Sequence, residues 1–435
     1  MDNQLSHVHS LIEQGQYSEA LPILETLLED SPNHSNVLNM IGYCQSELGH
    51  DAVAYQFFQR SLQTQPDHPF VLVNCGRALH ELGKYQEALN YFLKAAEIDP
   101  TYALAYSNGA ATLVQMAKWE EGKKCADLAL ECDPEEKNAR MNLATCYLAL
   151  GELGKGWDTM ELSLGSKFRR EWSYGDEERW NGEIGKTVVV YGEQGLGDEI
   201  YFCEAIPDAS KESKIIIDCD ERLEGLFRRS FPNVEVHGTR RRASVGWLDG
   251  KKIDYRCSMV SLQRFYRRFE HQYKNKPYLV ADPDRRHMWR SLFDSFGKPV
   301  IGVCSIGGTK KNNQAGRTIT EDDWKPFIES HDAVYVSLDY KGIDPSFCKS
   351  YPFATRSSDY DDTAALVAEL DHVIGVCTTA MHLADGLGVP TTVLVPTEHN
   401  FKFSPGIPKY KTSKLVYQDG KAWSDVLKGV RIDLK

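Results

Sequence analysis

The densest chemical signal in the chain is VVVYGEQGLGDEIYF, residues 188–202. It reads as a buried strand that ends in a glycine loop and turns directly into a helix. Gly192, Gly195 and Gly197 let the backbone turn sharply and approach a ligand closely. Asp198 and Glu199 fall at or just inside the helix N-terminus. There a carboxylate is favoured by the helix dipole and caps free N–H groups. A carboxylate fixed on a strand–loop–helix corner is also a candidate general base. Asp198 is the first choice, with Glu193 and Glu199 as competitors. Helix capping accounts for the same acids without any chemistry.

A second corner of the same kind is CTTAMHLADGLGVP, residues 377–390. Its strand ends at Cys377 and its helix begins at Thr378 or Thr379. Threonine hydroxyls and free helix N–H groups there make a diphosphate site. His382 lies one turn in, within reach of the same phosphates; the bland alternative is a histidine that only packs the helix. A third segment, residues 304–320, ends a strand in Ser305, Gly307 and Gly308. A basic loop with Lys310, Lys311 and Arg317 follows. Ser337 and Asp339 end the next strand. Two DxD-like pairs, Asp218/Asp220 and Asp282/Asp284, close a strand and mark a join, and read as structural. The two corners together predict a ligand cleft between two α/β halves.

The elements that must hold these residues follow from pattern. From about residue 186, short β-rich runs alternate with helical stretches. Strands are expected at 188–191, 214–219, 234–237, 300–304, 333–338, 372–377, 391–395 and 415–417. Helices are expected at about 198–208, 221–230, 362–370 and 379–387. Such alternation predicts two parallel, doubly wound sheets with ligands outside the carboxyl ends of the strands. The join is placed at about 278–297, giving halves of 166–290 and 291–435. A last helix at 421–430 is expected to pack back on the first half.

Residues 1–165 follow a different rule. Pro32, Pro66, Pro100 and Pro134 are spaced by 34, as are Ala20, Ala54, Ala88, Gly122 and Gly156. Gly15, Gly49, Gly83, Ala117 and Gly151 form another row in the same register. This is the tetratricopeptide period, one helix–turn–helix per repeat, in which small residues let two helices approach. The fold class is therefore an α-helical solenoid followed by two Rossmann-like halves. Solenoids of this kind present a binding surface for a protein partner or for self-association.

Bulk composition narrows the setting. The net charge of −12 hides an asymmetry: residues 1–165 carry 10 Lys and Arg against 23 Asp and Glu, whereas 222–290 carry 17 against 7. The basic segment reads either as a docking face for an anion or as a solvated surface. No apolar run reaches the roughly 20 residues needed to span a bilayer. The N-terminus lacks the pattern of a secretory signal, and the cysteines show no paired or zinc-like spacing. A cytoplasmic setting with reduced thiols is expected.

YGEQGLGDEIYF, PYLVADPD, DDTAALVAELDHVIG and TTAMHLADGLGVP together resemble the tetratricopeptide-linked glycosyltransferases with a GT-B fold, relatives of the bacterial heptosyltransferases. The resemblance implies an acceptor in the first half and a nucleotide-sugar donor in the second. It puts the base on Asp198. It puts donor contacts on Gly195, Gly197, Ser305, Gly307, Lys310, Arg317, Ser337, Asp339, Thr378, Thr379 and His382. It implies direct displacement that inverts the anomeric centre, with no metal and no cofactor beyond the donor. The acceptor stays open among a glycan, a protein and a modified nucleic acid. Two departures stand out: Cys377 where relatives carry Asp, and EHNFKF (residues 398–403) where they carry a tryptophan-rich stretch. These motivate the alternative of a non-catalytic, repeat-based scaffold with a degenerate pair of halves. An oxidoreductase fits less well, because the glycine loop is not GxGxxG.

Overall fold

The structure, a computed structural model, describes all residues except 1, 167–168, 241, 243–244, 309–314, 411–412, 433 and 435. Lys310, expected at the donor loop, lies outside the described residues. The chain forms two compact units, Met1–Cys146 and Tyr147–Lys435.

The first ten helices follow the 34-residue period. They are α1 (Asp2–Glu13), α2 (Tyr17–Asp30), α3 (Ser35–Glu47), α4 (Asp51–Thr64), α5 (Pro69–Glu81), α6 (Tyr85–Ile98), α7 (Ala103–Gln115), α8 (Trp119–Cys132), α9 (Lys137–Ala149) and α10 (Leu153–Leu162). From α1 to α8 each helix packs on the next. The small-residue rows make this possible. A Cβ on Gly42 would stand 2.6 Å from the Phe58 ring, and one on Gly76 would stand 2.5 Å from Phe92.

The row that ends each first helix adopts the left-handed conformation: Gly15, Gly49 and Gly83 have φ of +74°, +85° and +74°. Ala117 occupies the same position with φ +55°. An L-residue pays roughly 1–2 kcal/mol there. Ala117→Gly is expected to stabilise the α7–α8 pair by about 1 kcal/mol. Native-state hydrogen exchange of the α7 and α8 amides checks this, with slower exchange in the variant.

The division between units falls at 146/147, short of the residue 165 expected for the end of the repeats. α10 keeps the repeat pattern, but it packs on α14 (Met259–Tyr266), and Trp157 Nε1 donates to the Arg267 carbonyl at 2.9 Å.

The second unit holds two five-stranded parallel sheets. One contains β1 (Glu178–Arg179), β2 (Thr187–Tyr191), β3 (Lys214–Asp218), β4 (Glu235–His237) and β5 (Tyr255–Ser258), in the order β1-β5-β2-β3-β4. The other contains β6 (Val300–Cys304), β7 (Val334–Ser337), β8 (His372–Val376), β9 (Thr391–Val395) and β10 (Lys414–Tyr417), in the order β10-β9-β8-β6-β7. The remaining helices are α11 (Leu196–Phe202), α12 (Ile206–Glu212), α13 (Glu224–Ser230), α15 (Pro283–Asp294), α16 (Glu321–Ser330), α17 (Pro352–Thr355), α18 (Tyr360–Ala368), α19 (Thr379–Leu387) and α20 (Trp423–Lys428). β6, β8 and β9 are buried along their whole length, as parallel strands covered on both faces must be.

Both orders reverse direction once. In the first sheet the chain runs β2-β3-β4 outward and then returns to place β5 on the other side of β2. In the second it places β7 beside β6 and then starts again at β8. The reversals lie between β2 and β5 and between β6 and β8. In doubly wound sheets these are the points where ligands bind.

Two expectations need correction. β5 and β1 were not foreseen: β5 is only half buried and reads YRCS, without apolar alternation, and β1 has two residues. α15 lies within the join expected at about 278–297 and packs on α18. The last helix does not return to the first half. α20 lies on α16, and Trp423, Val426 and Leu427 join Ile301, Trp324 and Phe327 in the core of the second sheet.

Candidate functional site

The helices that follow the two reversal strands, α11 after β2 and α19 after β8, pack on each other. The contact is close at their N-termini. A Cβ on Gly197 would stand 2.6 Å from Thr379 Oγ1, so the absence of a side chain there lets the two corners approach closely. Gly195 is the N-cap of α11 and Thr378 that of α19. The two glycine-loop motifs, 180 residues apart in sequence, thus form one locus in space.

The three acids of the first corner have different surroundings. Asp198 Oδ2 accepts the Gly195 N–H at 3.1 Å, and its Oδ1 is held by the Lys402 ammonium. Its side chain keeps about a quarter of its exposure. Glu193 is buried in a bidentate pair with Arg169, at 2.6 and 3.1 Å. Glu199 is buried, bound by the Arg240 guanidinium, and accepts the Asp220 N–H at 2.9 Å. Of the three, only Asp198 reaches solvent. Glu193 and Glu199, both locked in ion pairs, are placed as supports of the loop.

Burial raises the Glu199 carboxyl from 4.5 to about 7, against the opposing pull of Arg240. The folded chain therefore holds this proton more tightly than the unfolded one. Its contribution to stability is complete below pH 4.5 and is lost as pH rises through about 7. Melting temperatures across this range should fall more steeply with pH for the native chain than for Glu199→Gln.

On the second sheet, Ser305 and Asp339 form one unit. The Asp339 carboxylate accepts the N–H groups of Ser305 and Ile306 at 3.1 and 3.2 Å, and Ser305 Oγ accepts Trp324 Nε1 at 3.0 Å. Burial raises the Asp339 carboxyl to about 6. Ser337 Oγ donates to Asp344 at 2.6 Å. Asp339 and Trp324 thus hold the start of the loop after β6, while Ser337 binds the segment after β7. Gly307 packs on Arg317 and Val376, and its N–H donates to the Arg317 carbonyl at 3.0 Å. Arg317 reaches the end of β8, donating through Nη2 to the Cys377 carbonyl at 2.7 Å. Its Nε is out of solvent with no hydrogen-bond partner among the described residues. The loop and the α19 corner thus flank the β6/β8 reversal, with Arg317 between them.

His382 is buried, stacked on Phe403 at 5.2 Å and edge-on to Tyr201 at 5.1 Å. Burial, with Lys402, Lys409 and Arg317 nearby, pushes its pKa well below 6.5 and keeps the ring neutral. Cys377 is buried and its thiol is raised to about 12, so it is no substitute for a carboxylate. Lys402 is the residue that sequence reasoning passed over. It lay in the segment noted as divergent, and its charge was the signal.

The basic segment is largely neutralised within its own unit. Arg229 pairs with Asp282 and Asp361, Arg256 with Glu171, Arg267 with Glu204 and Asp208, and Arg285 with Asp359 and Asp362. The DxD-like pairs are used structurally: Asp218 binds Tyr174 and Thr239, Asp220 binds Arg222 and Arg240, and Asp282 caps α15. All eleven cysteines are free. Among the described residues no helix is long and apolar enough to cross a membrane. Two cavities, of about 640 and 230 Å³, lie elsewhere, beside Tyr174 and Tyr255 and beside Tyr278 and Lys409.

Comparison with known proteins bears on the repeats first. Residues 13–95 match the family described as anaphase-promoting complex, cyclosome, subunit 3, and residues 76–116 match the TPR repeat family. The N-terminal helices are tetratricopeptide repeats. Protein FlbA of Caulobacter vibrioides is 28% identical over 284 residues, which are 58% of this chain and 47% of FlbA. The chain thus spans about half the length of that curated relative. Among solved structures, MamA is 15% identical over 36% of this chain and 91% of its own, with a TM-score of 0.33. PilF of Pseudomonas aeruginosa is 18% identical over 38% and 77%, with a TM-score of 0.36. Likenesses of that size add nothing about the fold.

Proposed function

We propose that the second unit is an inverting glycosyltransferase that uses a nucleotide-sugar donor without a metal, and that the repeats engage a protein. The observation that carries this reading is the meeting of the two reversal-point corners at Gly197 and Thr379. It sets the only solvent-reaching acid of the first corner, Asp198, beside a helix N-terminus suited to phosphate. In this reading Asp198 takes the proton of the acceptor hydroxyl. The acceptor oxygen bonds to the anomeric carbon as the bond to the phosphate oxygen breaks on the opposite face, which inverts the centre. The departing diphosphate is met by the N–H groups of α19, by Thr378 and Thr379, and by Arg317, whose charge lowers the barrier to its release. His382 supports the start of α19 by packing.

Among acceptor classes, a protein fits best. The repeat families point to protein partners, and the paired state of the basic segment removes the motive for a polyanion.

A second reading has its own observation. All three acids of the first corner are ion-paired, Asp198 with Lys402 included. On that reading the unit is a non-catalytic binding module and the repeats carry the function.

Incubation with a panel of nucleotide sugars, with a chelator and then with magnesium, separates the two. Release of nucleoside diphosphate from one donor, undiminished by the chelator, is the expected result. No release from any donor, with or without acceptor protein, favours the binding module.

A further inference from the structure

Lys402 belongs to a short turn, residues 401–403, that follows β9. Asn400 Oδ1 fixes the turn by accepting the Lys402 N–H at 3.1 Å, and Phe403 stacks on His382 of α19. The lysine side chain then crosses to α11. Its ammonium lies 5.3 Å from the Tyr201 ring centroid and 5.1 Å from that of Phe202, and it ends on Asp198 Oδ1. Only a tenth of the side chain is exposed. Since Asp198 Oδ2 already accepts the Gly195 N–H, both oxygens of this carboxylate are engaged. In this state the carboxylate charge is countered by the ammonium, and each oxygen is left with one lone pair.

The same cation is close to the proposed phosphate position. The stacking of Phe403 on His382 sets the Lys402 turn against α19, and Asp198, on which the ammonium ends, follows Gly197, which meets Thr379 at the start of that helix. The contact with Asp198 and the proximity to the start of α19 place Lys402 between two anions, one resident and one expected.

Resting on the glycosyltransferase reading, we propose that Lys402 is a donor-phosphate ligand that is parked on Asp198 until the donor arrives. Entry of the donor diphosphate draws the ammonium off the carboxylate. This binds the donor and frees the base in one movement, so the donor must bind before the acceptor is deprotonated. Lys402 touches the donor and acts on the proton transfer only through Asp198.

The affinity of the free chain for a nucleoside diphosphate is then reduced by the fraction of time that Lys402 spends on Asp198. Calorimetric titration with UDP, GDP, CDP and ADP tests this on the full chain. Asp198→Asn removes the counter-charge and keeps the cation, so the bound nucleotide should bind about tenfold tighter. Lys402→Met removes a charge-assisted contact and should weaken binding about tenfold or more. In the Lys402→Met background, Asp198→Asn should have no further effect.

If Asp198→Asn tightens binding equally in both backgrounds, the carboxylate merely repels phosphate and the parked lysine is overturned. It is overturned equally if a nucleotide binds the native chain and neither single variant changes its affinity. Failure of all four nucleotides to bind the native chain would instead overturn the donor site itself. Asp198→Asn is nearly isosteric and its side chain is about a quarter exposed, so it reports even if Lys402→Met does not fold.

Discussion

Asp198→Asn is expected to lower sugar transfer by about 10²–10⁴-fold, the usual contribution of a positioned general base. The substitution keeps the shape of the side chain and an oxygen for the Gly195 N–H, so α11 should retain its cap. Melting temperature should fall through the loss of the Lys402 ion pair, and nucleotide binding should persist. The comparison that matters is with Glu193 and Glu199, the two acids beside it in sequence. Each is buried in an ion pair, so Glu193→Gln and Glu199→Gln should act through stability. Steady-state rates for the three variants, normalised to folded protein, check the assignment. Full transfer by Asp198→Asn would remove Asp198 from the chemistry.

The second large effect is on stability. Arg169→Met is expected to destabilise the second unit by about 3–5 kcal/mol, the cost of leaving a buried charge unpaired. Arg169 is fully buried. Besides its two bonds to Glu193 it donates to Ser258 Oγ at 3.1 Å and Ser261 Oγ at 3.2 Å, and to the Met160 carbonyl. One guanidinium therefore ties the end of α10 to the glycine loop and to the β5–α14 corner. Replacing both partners, Arg169→Met with Glu193→Leu, should recover most of the loss, since an apolar pair avoids the desolvation of two charges. Urea unfolding of the two variants, followed by a probe in the second unit, checks the order of stabilities. A double variant no more stable than Arg169→Met would show that the Ser258, Ser261 and Met160 contacts dominate.

The repeats were legible because one period fixes several independent positions, and each position has a steric reason. The glycine row ends helices with positive φ, and the buried small residues admit Phe58 and Phe92. The central strands of both sheets were legible because they are buried along most or all of their length and are therefore mostly apolar; β6 and β9 fall at their expected bounds. β5 was not, because one end of an only half-buried strand carries Tyr255 and Arg256. The destination of α20 was not, because apolar spacing shows that a helix is covered and not by what. At the site, sequence placed Asp198 and Thr379 on two separate corners. Their close approach uses the missing side chain of Gly197, whose role is visible only once Thr379 lies against it. The same limit applies to Glu193 and Glu199. A carboxylate next to a glycine loop looks chemical until Arg169 and Arg240, distant in sequence, are seen to hold it.

The proposed transfer requires a nucleotide to bind where the two reversal points meet. A crystal structure of the chain soaked with the nucleoside diphosphate of whichever donor it turns over tests that directly. The predicted result places the phosphates on the N–H groups at the start of α19, within hydrogen-bonding reach of Thr378, Thr379 and Arg317, with Asp198 facing them from α11. Phosphates seated in the cavity beside Tyr278 and Lys409, or beside Tyr174 and Tyr255, would contradict it.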